Sequence, residues 1–133
     1  MKAKYEEAIL KLLTIADELH LCVEYKDPEV SSDLWPDCWG FFDASARKIT
    51  LYKRHNKALN AQHVFTFAHE LRHAHQYLTR MYPKYWLCSI GLYPRLKTER
   101  YSKVLEKDAD DWAKEFMIKN YLPVPTNFDD KLI

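Results

Sequence analysis

The stretch Val64-Phe65-Thr66-Phe67-Ala68-His69-Glu70-Leu71-Arg72-His73 decides how this chain is read. It lies in a segment of helical apolar spacing that Asn60 can cap and that runs to about Arg80, before Pro83. With His69 set to zero and about 100° per residue, Val64, Phe67, Leu71, Ala74 and Leu78 fall at about 140–220°. Gln62, Thr66, His69, Glu70, His73 and Tyr77 fall at about 0–100°. One arc is a core stripe, and the polar arc beside it carries the pattern HExxH. His69 and His73 are four residues apart, so their imidazoles project from one face, one turn apart. Two imidazole nitrogens so placed can hold one Zn²⁺ at about 2.0–2.1 Å each. Glu70 sits beside them on the helix, where a carboxylate can take a proton from water at the open side of such a site.

A catalytic zinc site needs a third protein ligand. The best candidate is Glu106, in Glu106-Lys107-Asp108-Ala109-Asp110-Asp111-Trp112-Ala113. This segment belongs to a second helical pattern, from Thr98 to about Asn120, ended by Pro123 and Pro125. Its apolar stripe is Tyr101, Leu105, Ala109, Trp112 and Phe116, with Glu106, Asp110 and Ala113 along the edge. The small Ala109 and Ala113 let two helices approach closely enough for Glu106 to reach a metal. Asp110, one turn on, can accept a hydrogen bond from the other N–H of a ligand histidine. Spacing alone equally allows a solvated acidic face in which Asp108 and Asp111 are equivalents.

Upstream, Ala8, Ile9, Leu12, Ile15, Ala16 and Leu19 predict an amphipathic helix over residues 5–20. Residues 21–25 can form a short strand. Residues 38–43 and 48–53 read as a β-hairpin around Ala44-Ser45-Ala46-Arg47. In its second arm Ile49 and Leu51 face one way and Lys48, Thr50 and Tyr52 the other, the pattern of a half-buried strand. Residues 82–97 receive no assignment beyond a partly apolar connection. The order predicts one α+β domain over residues 1–133, with three main helices packed on a small antiparallel sheet.

The composition narrows function. Of 133 residues 47% are hydrophobic, which excludes disorder and supplies a core. A formal net charge of +1 gives no electrostatic case for direct nucleic-acid binding. No apolar run is long enough for a membrane span, and the charged start is not that of a signal peptide. Cys22, Cys38 and Cys88 form no CxxC pair and read as thiols in a reducing cytoplasm.

The segment from Val64 to His73 resembles the metal-binding signature of ImmA/IrrE-like zinc peptidases. Glu106 to Ala113 resembles their second signature, E-x-x-A-[ND]-x-[FW]-A, and the likeness covers about residues 38–123. The resemblance implies a compact zincin-like core of the gluzincin type, with Zn²⁺ on His69, His73 and Glu106 and with Glu70 as catalytic base. It implies a cytoplasmic endopeptidase whose partner is a protein substrate, such as a transcriptional repressor of a phage or other mobile element. Arg72 departs from the family's usual glycine; it can pack over the site, bind substrate carboxylates or block a close contact. The stretch His69–Gln76 also resembles SprT-like proteases, which the Glu106–Ala113 signature fits poorly.

Tyr77, Tyr93 and Tyr101 are candidates to stabilise an oxyanion, with no basis for choosing among them. His63 can line a substrate groove, His55 can approach from a loop, and His75 reads as a core or rim histidine. An extended substrate could add to Lys48–Lys53 as an edge strand. The competing account is a non-catalytic interaction module with a structural or vestigial zinc site. Such a site needs both histidines and Glu106 but not Glu70.

Overall fold

The computed structural model describes residues 2–26, 39–53, 56, 58–81 and 98–125, with side chains of the last segment from residue 103. Among these described residues, three helices and three strands follow in the order α1 (Lys2–Glu18), β1 (Cys22–Lys26), β2 (Gly40–Asp43), β3 (Lys48–Tyr52), α2 (Ala61–Leu78) and α3 (Thr98–Lys119). The architecture is α+β.

Helix α1 buries Ala8, Ile9, Leu12 and Ala16, the stripe its sequence spacing marks out. It ends where His20 turns to φ 56° and the Leu21 N–H donates to the Ala16 carbonyl at 2.9 Å. The same closure recurs twice. Arg80 at φ 57° precedes a bond from Met81 N–H to Gln76 O at 2.9 Å, and Tyr121 at φ 58° precedes one from Leu122 N–H to Met117 O at 2.9 Å. This six-to-one bond is the Schellman motif, which usually places glycine in the left-handed position. Here three non-glycine residues occupy it, each followed by an apolar residue.

The sheet has the order β1-β3-β2. Strands β2 and β3 form the expected antiparallel hairpin, Phe42 opposite Ile49 and Gly40 opposite Leu51. Its turn is fixed by the Asp43 carboxylate, which accepts from Ser45 Oγ at 2.7 Å and Ala46 N–H at 3.2 Å. Strand β1 instead pairs parallel to β3, Cys22 opposite Lys48 through Lys26 opposite Tyr52. The sheet is therefore mixed and not antiparallel. The same pairing overturns two further expectations. Strand β3 has a neighbour on both sides, so it offers no edge for an added strand. Thr50 and Tyr52 are buried along with Ile49 and Leu51, so β3 is covered on both faces and is not half-buried.

Helix α2 is the centre of the fold. Asn60 caps it, in extended backbone, with its side-chain oxygen accepting from His63 N–H at 2.9 Å. Val64, Phe67, Leu71 and Ala74 face the core as the wheel requires. The polar arc is buried too: Thr66, His69, Glu70, His73 and Gln76 all lie at 5% exposure or less. Helix α3 is what covers part of that arc. It packs chiefly against α2, and Ala109 and Ala113 are fully buried. Leu105 and Met117 complete the buried face of α3, while Trp112 and Phe116 stack at its margin, 5.7 Å between rings.

Candidate metal centre

Two helices build this site. On α2, His69 and His73 stand one turn apart with Nε2 atoms 3.1 Å from each other. On α3, the Glu106 carboxylate bridges them, Oε2 3.0 Å from His69 Nε2 and Oε1 2.9 Å from His73 Nε2. One ligand atom from each residue lies within 4.8 Å of the other two. Ligands at about 2.0–2.1 Å from one tetrahedral ion stand about 3.3–3.4 Å apart. The three donors need to open by only a few tenths of an ångström, and two imidazoles with one carboxylate are a donor set zinc accepts. The residues fit such an ion.

Around the donors the charge is anionic. Asp110 Oδ1 lies 2.8 Å from His69 Nδ1, at ion-pair distance but off the line of a well-directed hydrogen bond. Burial pushes the His69 pKa down, but Asp110, Glu106 and the neighbouring charge of Glu70 outweigh it and hold it at about 10. Burial likewise opposes ionisation of Glu106, and the bonds from His69 and His73 overcome it, bringing its pKa to about 2. The raised pKa favours a proton on His69 when no metal is bound. A divalent cation would replace that proton.

The remaining candidates are dispersed. Glu70 is fully buried on the same arc as His69. Arg72 does not face the donors; its guanidinium clamps Asp108 on α3, Nε to Oδ2 at 2.7 Å and Nη2 to Oδ1 at 3.2 Å. Its third contact donates from Nη1 to His75 Nδ1 at 3.0 Å. Burial and then the Arg72 charge lower the His75 pKa, with Asp108 partly opposing them. His63 is engaged elsewhere: its Nδ1–H donates to Ala58 O at 3.1 Å, and Nε2 accepts from the Tyr25 hydroxyl at 2.7 Å. Burial lowers the His63 pKa against that carbonyl bond, and burial raises Tyr25 to about 12. His63 thus ties β1 to the start of α2. Tyr77, partly exposed, sets its ring 6.1 Å from Phe42 on β2. Tyr93, His55 and the side chain of Tyr101 lie outside the described residues.

Gln76 escaped the sequence reading. It is fully buried and contacts His73, yet its type suggests no metal chemistry. The wheel held the signal, because Gln76 falls at about 340°, between the core stripe and His69. Comparison with protein-family models, with curated proteins and with solved structures finds no match. Among the described residues, no helix is long and apolar enough to cross a membrane.

Proposed function

We propose that this chain is a zinc-dependent endopeptidase of the ImmA/IrrE-like kind, acting on one protein substrate. The observation that carries the reading is the convergence of His69, His73 and Glu106 from two helices, with Glu70 buried beside them. When bound, zinc would supply Lewis-acid polarisation of the scissile carbonyl and acidify water at the site. His69, His73 and Glu106 would hold the ion, with the Asp110 carboxylate 2.8 Å behind His69 Nδ1. Glu70 takes the proton of the attacking water and delivers it to the leaving amine. That the substrate is a repressor of a mobile element rests on the resemblance of the two signatures.

The test is metal content followed by cleavage. About one zinc per chain, lost in His69→Ala and in Glu106→Ala, is expected. No zinc after reconstitution at neutral pH would sink the proposal. The full burial of Glu70 favours a second reading, in which its carboxylate is only a counter-charge to His69 in a structural zinc site. Glu70→Gln separates the two: loss of cleavage with zinc retained supports catalysis, and an intact biological effect supports the structural site.

A further inference from the structure

Behind His73 lies a polar chain that the metal ligands do not use. His73 Nδ1 is 2.9 Å from Gln76 Oε1. Gln76 Nε2 donates to the Leu105 carbonyl at 3.0 Å and to Asp108 Oδ2 at 2.7 Å. Asp108 is in turn gripped by Arg72 through both carboxylate oxygens.

The chemistry of these groups fixes the direction of every bond. A carbonyl and an ionised carboxylate only accept, so the Gln76 amide must present its NH₂ to Leu105 and Asp108. Its oxygen is then the only polar atom left to face His73. An amide oxygen cannot donate, so His73 must carry a hydrogen on Nδ1. That tautomer turns Nε2 toward Glu106 and His69. Asp108 cannot swing away, because Arg72 holds it in a two-point clamp, and Gln76 is fully buried between the helices.

We infer that Gln76, anchored by Asp108 and Arg72, is a positioning residue that locks His73 as an Nε2 metal ligand. The inference rests on the metal-site reading given above. It gives Arg72, inside the HExxH pattern, a role at a distance: it holds the carboxylate that holds the amide. It also makes the two histidines unequal, since a carboxylate stands behind His69 and a neutral amide behind His73.

The experiment measures zinc dissociation constants by chelator competition and histidine ¹⁵N–¹H correlation spectra of the zinc-loaded chain. The wild-type spectrum is expected to show a slowly exchanging Nδ1–H on His73. An unprotonated His73 Nδ1 overturns the inference without any variant. Gln76→Leu is expected to weaken zinc binding about 10–100-fold and to speed exchange of that proton. Gln76→Met keeps the volume and gives the same readout if the leucine variant does not fold. Asp108→Ala weakens binding in the wild-type background and adds little to Gln76→Leu, because both act through one bond. Zinc binding within twofold of wild type in both Gln76 variants, together with its loss in His73→Ala, overturns this inference alone. Failure of the wild-type chain to bind zinc overturns the metal-site reading and takes the inference with it.

Discussion

Adding Zn²⁺ to the metal-free protein at pH 7 is expected to expel protons, at least one of them from His69. Its pKa of about 10 keeps the imidazole charged at neutral pH, because Asp110, Glu106 and Glu70 outweigh the cost of burying the charge. Glu106, at about 2, holds no proton to give. The metal therefore competes with a proton bound roughly a thousandfold more tightly than pH 7 alone would require. Apparent affinity should rise about tenfold per pH unit from neutrality toward pH 10, as His69 alone contributes one proton to the exchange. Calorimetric titration in two buffers of different ionisation enthalpy reads the proton count directly. The slope of observed enthalpy against buffer enthalpy should correspond to one proton or more per zinc. A slope near zero would mean that His69 is neutral before the metal arrives or does not ligate it, and either result refutes the reasoning.

The same two groups set a stability profile for the metal-free chain. The raised His69 pKa contributes stability that is complete below about 6.5 and fades as pH climbs through about 10. The depressed Glu106 pKa contributes stability above about 4.5 that is lost as pH falls through about 2. Thermal midpoints should therefore peak between about pH 4.5 and 6.5 without metal; a steady rise into alkali would contradict this. Arg80→Gly relieves a left-handed backbone at an exposed position and should add about 1 kcal/mol, or about 3 °C. No gain in urea unfolding would count against the strain. Gly40→Ala should cost about 1–3 kcal/mol, because the new Cβ would lie 2.9 Å from the Thr50 carbonyl of the central strand. An unchanged urea midpoint would show that β2 can shift.

The parts of this fold that were legible in the sequence are those written in local periodicity. The Asn60 cap, the stripe of α2, the hairpin and the Glu106–Ala113 face all follow from residues within a few turns of one another. What was not legible is non-local. Nothing in Cys22–Lys26 states that it will pair parallel to β3, and that pairing buried Thr50 and removed the edge assumed at Lys48–Lys53. Helix C-terminal ends follow from the sequence to within two residues, but the way the chain closes them does not. The usual signal is glycine, and His20, Arg80 and Tyr121 take the left-handed conformation without it. By residue type, Arg72 and His63 are a cation and an imidazole near a site. Their partners, Asp108 and Tyr25, come from other elements and draw them elsewhere.

A helix buried on every face is ordinarily apolar all round. Helix α2 buries His63, His69, Glu70 and His73 at its heart. Ionised groups cost several kcal/mol each to remove from water, and apolar substitutes of similar size are often neutral or stabilising. Stability alone therefore does not account for the arc facing α3. Three carboxyl groups, those of Glu70, Glu106 and Asp110, gather around His69. A divalent cation would be met there by donors already in place. The polar chain from His73 to Arg72 adds a second reason: a histidine required only to fill space has no need of a fixed tautomer. The arrangement is costly as packing and well formed as a ligand set, which is why a bound metal is the economical account of why α2 is polar where it is most deeply buried.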